Sequence, residues 1–172
     1  MIGKPEPLPY RVEPLGSDYD RNGFSCGNPA LDAYIRQQAG QDVKRKLAAV
    51  FVLTQDGKNI AGYYTLSAHA IQADELPPAM SKKLPRLPVP VTLLGRMAIS
   101  DRLKGKGLGE FVLLSALERA WIGSTQIASW AVIVDAKVGS RDFYLKYSFL
   151  PLPNSPHRLF LPIKTIEGLL AK

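Results

Sequence analysis

Between residues 102 and 109 the chain reads Arg102-Leu103-Lys104-Gly105-Lys106-Gly107-Leu108-Gly109, three bases and three glycines in eight positions. Glycine lets successive backbone N–H groups converge and lets a ligand approach with no Cβ in the way. A helix is predicted to begin at about Gly107. Its first N–H groups have no partner within the helix, and its dipole favours an anion by ~0.3–1 kcal/mol. With Arg102, Lys104 and Lys106 adding charge at the same place, the segment has the chemistry of a pyrophosphate cradle. Two common phosphate motifs are excluded. There is no Gly-Lys-Ser/Thr ending, and Gly105, Gly107 and Gly109 are not spaced Gly-x-Gly-x-x-Gly. A purely structural glycine turn is the competing reading.

A proton donor is the second chemical requirement of any group transfer. In Asp142-Phe143-Tyr144-Leu145-Lys146-Tyr147-Ser148-Phe149, Phe143 and Tyr147 are four residues apart and share a helix face as plain core would. Tyr144 lies ~100° from Phe143 around a helix, off that stripe, so packing accounts for it less well. A tyrosine keeps its proton at neutral pH and can donate it. A general base is harder to find. His69 and His157 qualify only by type, Glu110 falls in a first helical turn, and Asp135 and Asp142 have no evident partner. Cys26 is the lone cysteine, which excludes an internal disulfide and any cysteine-based zinc site. No motif sets a histidine beside it, so a covalent intermediate on Cys26 is disfavoured, and no metal is expected.

These residues need elements to position them, and proline marks where elements can lie. Four of the fourteen prolines fall before residue 15, five lie in 77–90 and four in 151–162, with Pro29 alone elsewhere. Because proline breaks helices and central strands, regular structure is predicted for 30–76 and 91–150. Residues 73–90 read as a long, basic, Pro-rich loop, and residues 1–9 as flexible. Asn28-Pro29 is a helix start, with apolar spacing from Leu31 that ends at Gly40. Strands are predicted over 47–54 and 60–70, joined through Asp56-Gly57, a hairpin signal. A strand over 91–100, a helix over 107–122 and a buried strand over 128–134 follow. A short helix over 139–147, a last strand over 158–163 and a helix over 165–170 complete the reading. A hairpin first and strand–helix–strand later predict a single α+β domain, 1–172, with a mixed, largely antiparallel sheet flanked by helices.

The 172 residues carry 22 Lys+Arg against 15 Asp+Glu, a formal charge of +7. Net +6 falls within residues 82–106, and Arg36, Lys44, Arg45 and Lys46 with Asp42 add +3. Localised charge of this kind attracts polyanions, though a solvated face is the bland alternative. Ordinary globular composition argues against wholesale disorder. No apolar run reaches the ~18–20 residues that cross a bilayer. The first residues also lack the apolar core of a signal peptide, so no membrane association and a cytoplasmic location are expected.

The pattern Arg-x-x-Gly-x-Gly, here Arg102 to Gly107, resembles the acetyl-CoA loop of the GCN5-related N-acetyltransferase (GNAT) superfamily. Leu94-Gly95-Arg96-Met97-Ala98-Ile99-Ser100 resembles that family's central strand, and Asp142 to Phe149 its Phe-Tyr-x-x-x-Gly-Phe signature, with Ser148 in place of the glycine. Phe24-Ser25-Cys26-Gly27-Asn28-Pro29-Ala30-Leu31-Asp32-Ala33-Tyr34-Ile35 and the closing Arg158-Leu159-Phe160-Leu161-Pro162 resemble the GNAT toxins of type II toxin–antitoxin modules. The resemblance implies a GNAT fold and acetyl-CoA as co-substrate. The cofactor would lie on Met97, Ala98 and Ile99 and on Arg102, Leu103, Lys104, Gly105, Lys106, Gly107, Leu108 and Gly109. It implies Tyr144 as the general acid that protonates the departing thiolate, in direct transfer to the α-amine of an aminoacyl-tRNA. An α-amine, with its pKa of ~7.7–8.0, needs no strong base, in keeping with the absence of an obvious one. RNA phosphates would meet Lys44, Lys46, Arg86 and Arg96. A ribbon-helix-helix antitoxin, indirect association with DNA through it, and a homodimer are further implications. A small-amine, peptide or protein acceptor, or a non-catalytic antitoxin- or DNA-binding regulator, stays open at this stage.

Overall fold

The computed structural model describes residues 9–136 and 139–171; all but the last of the residues expected to be flexible, 1–9, lie outside it. Seven strands form a sheet in the order β1-β2-β3-β4-β5-β7-β6. They are β1 (Arg11–Pro14), β2 (Ala49–Thr54), β3 (Gly62–Ile71), β4 (Val89–Ile99), β5 (Ala131–Asp135), β6 (Leu150–Leu152) and β7 (Ser155–Pro162). β4 and β5 are parallel, whereas β1–β2, β5–β7 and β6–β7 are antiparallel. The helices are α1 (Pro29–Ala33), α2 (Ala39–Lys44), α3 (Pro78–Ser81), α4 (Leu108–Gly123), α5 (Arg141–Leu145) and α6 (Ile163–Leu170). The architecture is the expected α+β arrangement around a mixed sheet. By contacts, residues 9–65 with Arg96–Leu113 form one compact unit, and Leu66–Gly95 with residues 114–171 form another. No helix among the described residues is long and apolar enough to cross a membrane.

In the first unit, Asn28 caps α1: its side-chain oxygen accepts from the Ala30 and Leu31 N–H groups at 3.0 and 3.3 Å, with Pro29 at the first helical position. The helix does not end at Gly40. It passes through a π-helical turn (Tyr34–Gln38) into α2. A Cβ on Gly40 would lie 2.6 Å from Arg21 Nη1, the far end of a side chain that can swing aside. The stop comes at Lys46, with φ +62°, where the Lys46 and Leu47 N–H groups bond the Val43 and Asp42 carbonyls at 3.2 and 2.9 Å. The predicted hairpin between β2 and β3 is present. The Asp56 carboxylate accepts from the backbone N–H groups of Lys58 and Asn59 at 2.9 and 2.8 Å. Phe24, Tyr34, Ile35, Val52, Tyr63 and Ala98 lie at the centre of this unit's core.

In the second unit, the predicted loop 73–90 is partly ordered. It contains a 3-10 turn (Ala73–Glu75) and α3, and β4 begins at Val89, running through exposed Pro90. The Pro90 carbonyl still accepts from Trp130 N–H at 2.7 Å, so the proline costs only a donor that the strand does not use there. β6 was not predicted, and β7 starts three residues before the expected 158, because Pro151, Pro153 and Pro156 argued against strand. Here Pro151 sits at a register shift in the edge strand β6, where proline is tolerated. Ile133, Phe160, Val91 and Ile71 centre this core.

Candidate acyl-transfer site

In the first unit the chain leaves β4 through a 3-10 turn (Asp101–Leu103) and reaches α4 by way of Gly105 and Gly107. Both glycines are left-handed, with φ +81° and +77°, and a Cβ on either would meet nothing within 4 Å. Glycine is therefore favoured by backbone conformation, and the space above the turn is open. Arg102 and Lys106 are exposed and line a cavity of about 480 Å³ with Tyr10, Asp56, Asn59 and Ala61. Leu103 also lines it, Leu108 is buried at the start of α4, and Gly109 lies in the first turn. The Asp56 carboxylate is held far below the usual range by N–H donors, first those of the Asn59 and Lys58 backbone. Its oxygens are taken up by those N–H groups and it stays ionised, the one carboxylate in a lining that also carries two bases beside a helix start. This donor set fits a diphosphate.

Lys104 is engaged elsewhere. Its ammonium donates to the Cys26 carbonyl at 2.7 Å and pairs with Asp101 at 3.2 Å. The Asp101 N–H in turn bonds the Ser25 carbonyl at 2.9 Å, and Asp32 accepts from the Cys26 N–H at 2.8 Å. Gly27, at φ +84°, would carry a Cβ only 3.0 Å from Asp101 Oδ1. The segment Phe24–Asn28 is thus fastened to the cradle through Lys104 and Asp101, a function its sequence did not announce. Cys26 is 5% exposed and burial pushes its thiol pKa up, which leaves it a poor nucleophile.

In β4, Ala98 is buried and Met97 and Ile99 are half-buried. Gly62 permits close approach there, since a Cβ on it would lie 2.8 Å from the Ala98 carbonyl oxygen. Arg96 lies over the Tyr34 ring, with its guanidinium carbon 3.7 Å from the ring centre. The Tyr34 hydroxyl donates to the buried Asp42 carboxylate at 2.9 Å. Burial, then this bond, pushes the Tyr34 pKa up to about 12. Lys44 lines a separate cavity with Arg21 and Gln41, and Lys46 is exposed at the end of α2. Tyr10, Tyr34, Asp42 and Asn59 were missed from sequence; only the Asp-Gly hairpin signal pointed near Asn59.

Arg86 and Tyr144 belong to the second unit. Arg86 is exposed in the segment before β4. Tyr144, in α5, is 6% exposed, with its ring edge-on to Phe143 and Phe149 at 5.3 and 5.5 Å. Burial alone pushes its hydroxyl up to about 12. Among the described residues that hydroxyl has no hydrogen-bond partner, yet no buried side-chain oxygen is left unsatisfied. The remaining base candidates are less suited. Asp135 is paired with Arg158 at 2.7 Å, and His69, His157, Glu110 and Asp142 are exposed. No cluster of metal-ligating side chains occurs among the described residues.

No family model matches the sequence. Curated relatives do. The chain is 31% identical over 170 residues to the probable toxin TacT of Sinorhizobium fredii, covering 92% of this chain and 94% of that one. It is 32% identical over 152 residues to the tRNA-acetylating toxin of Mycobacterium tuberculosis, covering 88% and 90%. The chain belongs to the GNAT toxins of toxin–antitoxin modules. Among solved GNAT toxins, AtaT complexed with acetyl-methionyl-tRNAfMet superposes with a TM-score of 0.88 at 28% identity, covering 94% of this chain and 99% of that one. A tyrosine-to-phenylalanine mutant of AtaT, bound to the C-terminus of the antitoxin AtaR and acetyl-CoA, gives 0.82 at 26%, covering 95% and 99%. The KacTA–DNA complex gives 0.81 at 25%, with the same coverage. The GNAT toxin fold therefore accounts for nearly the whole chain.

Proposed function

We propose that this GNAT toxin uses acetyl-CoA to acetylate the α-amine of an aminoacyl-tRNA and so blocks translation. The observation that carries the reading is the open, doubly left-handed glycine turn flanked by Arg102 and Lys106 at the head of α4. Its relatives' names support the acceptor. When bound, acetyl-CoA would supply a thioester: the C–N bond would form as the C–S bond breaks, the nitrogen releasing a proton to solvent and the thiolate taking one up. Arg102, Lys106 and the N–H groups at the start of α4 would hold its diphosphate, with Met97, Ala98 and Ile99 along the pantetheine arm. Lys104 would act by bracing the turn against Cys26. Tyr144 would give its proton to the thiolate; a phenol kept neutral by burial is suited to donate. Buried Cys26 leaves direct transfer in a ternary complex as the route.

The partners follow from the same membership. We propose a ribbon-helix-helix antitoxin, association with DNA through that antitoxin, a homodimer and a cytoplasmic site of action. Relatives solved with an antitoxin C-terminus and in a toxin–antitoxin–DNA complex support the first two. The test is expression of wild-type protein and Tyr144→Phe in bacteria, with mass spectrometry of the tRNA pool. Arrested growth and N-acetylated aminoacyl-tRNA are expected with wild type alone. Normal growth and an unmodified pool with wild type would overturn the reading, and acetylated protein or small amines in their place would point to another acceptor.

A further inference from the structure

Arg96 is half-buried, and among the described residues it makes no ion pair and no hydrogen bond. It lies over the face of Tyr34, 3.7 Å from the ring centre. A surface lysine or arginine without a partner is unremarkable, because water solvates it. A half-buried guanidinium pressed on a ring is different. The ring takes the place of water on the side it covers, and the five N–H donors lie in the guanidinium plane, available to a ligand at its rim. The ring is itself fixed. Tyr34 is 4% exposed, its hydroxyl is bonded to Asp42 at 2.9 Å, and Asp42 is 9% exposed. Tyr34 also stacks on Tyr63, with centroids 6.2 Å apart, and the Tyr63 hydroxyl donates to the Leu31 carbonyl at 2.6 Å. The π-helical turn at Tyr34–Gln38 is where this platform enters the core.

We infer that Arg96 is a pre-oriented receptor for one backbone phosphate of the RNA acceptor, and that Tyr34, held by Asp42, is its positioning residue. A planar cation with paired in-plane donors matches two phosphate oxygens as a point charge does not. Acetyl-CoA also carries phosphates, but Arg102 and Lys106 stand ready for those at the glycine turn, so the source assigned to Arg96 is RNA. This rests on the aminoacyl-tRNA reading above and adds a fixed contact to it.

The experiment uses the full chain and bulk aminoacylated bacterial tRNA, with Kd measured by fluorescence anisotropy across a salt series. Acetyl-CoA Kd is measured by calorimetry, and a thermal midpoint checks each fold. Loss of one phosphate contact should lower the slope of log Kd against log salt by about 0.7–0.9 in Arg96→Gln, with affinity down about tenfold. Arg96→Lys should keep the slope yet lose several-fold in affinity, because charge survives and planarity does not. Tyr34→Phe keeps the ring and should bind within about twofold of wild type, whereas Tyr34→Leu should resemble Arg96→Lys. In acetylation kinetics the Arg96 variants should raise KM for tRNA and leave kcat unchanged. Acetyl-CoA binding should be unaffected throughout. An unchanged salt slope and affinity in Arg96→Gln overturns the inference, as does weakened acetyl-CoA binding in that variant. The two readings fail differently. If the acceptor is wrong, wild type acetylates no tRNA; if only this inference is wrong, wild type acetylates tRNA and Arg96→Gln binds it normally.

Discussion

Tyr144 and Cys26 present opposite cases of a buried titratable side chain. In both, burial raises the pKa and favours the protonated form. For a sulfur nucleophile this is a handicap, whereas a phenol only has to keep the proton that it already holds at neutral pH. Tyr144→Phe should fold normally, since the lost hydroxyl has no partner among the described residues, and should bind acetyl-CoA as before. Its kcat should fall by about 10²–10⁴-fold, the usual worth of a positioned proton donor, as single-turnover kinetics would show. Cys26→Ala should keep wild-type turnover within about threefold; inactivation of that variant would revive a covalent route through the thiol. At this scale the sequence was most readable for placement: the turn bearing Arg102 and Lys106 and the helix bearing Tyr144 lie where their motifs put them. It was least readable for Lys104. Its charge was assigned to an anion, but the folded chain brings it to Cys26, 78 positions away, and nothing in the local pattern encodes that bond.

Elements were legible where apolar period and capping agreed, and obscured where proline or glycine has two uses. Asn28-Pro29, the Asp56-Gly57 turn and α4 all lie where expected, because each is specified by its own residues. β6 and the first turns of 73–90 were hidden by prolines that edge strands and helix starts tolerate. Gly40 looked like a stop and lies inside α2. The end of α5 shows the converse: Ser148 replaces the family's glycine and yet takes φ +72°, the conformation a glycine would supply. A side chain there is strained, so Ser148→Gly should stabilise the protein by roughly 0.5–1 kcal/mol, a rise in midpoint of about 2–4 °C. Gly107→Ala tests the same physics with the opposite sign. The left-handed backbone should make alanine cost roughly 1–2 kcal/mol. Because a Cβ meets nothing within 4 Å, that cost is conformational, and it should appear as weaker acetyl-CoA binding by calorimetry as the turn relaxes. Unchanged affinity in Gly107→Ala would remove the turn from the cofactor site.

For the whole molecule, the net charge of +7 was visible at once, and its division was not. Folding assigns Lys104 to bracing and Arg102 and Lys106 to a cavity, so the bare total overstates what is free for RNA. A different whole-molecule property follows from the tyrosines. Tyr34, Tyr63 and Tyr144 are all buried, and burial leads the causes that raise each hydroxyl pKa, to about 12 for Tyr34 and Tyr144. In the unfolded chain each would ionise near ~10. Above that pH the unfolded state has released protons that the folded state still holds, so stability is intact below about pH 10 and drains away between about 10 and 12. Each tyrosine contributes a loss of about 1.4 kcal/mol per pH unit in that window, hence about 4 for the three together. Against a total stability of roughly 5–15 kcal/mol, that is a large fraction. Lysines titrate nearby and would blur a single curve, so the measurement is a comparison. Urea midpoints of wild type and Tyr144→Phe, taken from pH 9 to about 12, should run parallel below about pH 10 and diverge above it, the variant losing stability about one third less steeply. Parallel curves throughout would mean that the Tyr144 hydroxyl ionises as freely folded as unfolded, and a phenol so accessible to water would not be the buried proton donor assigned to it.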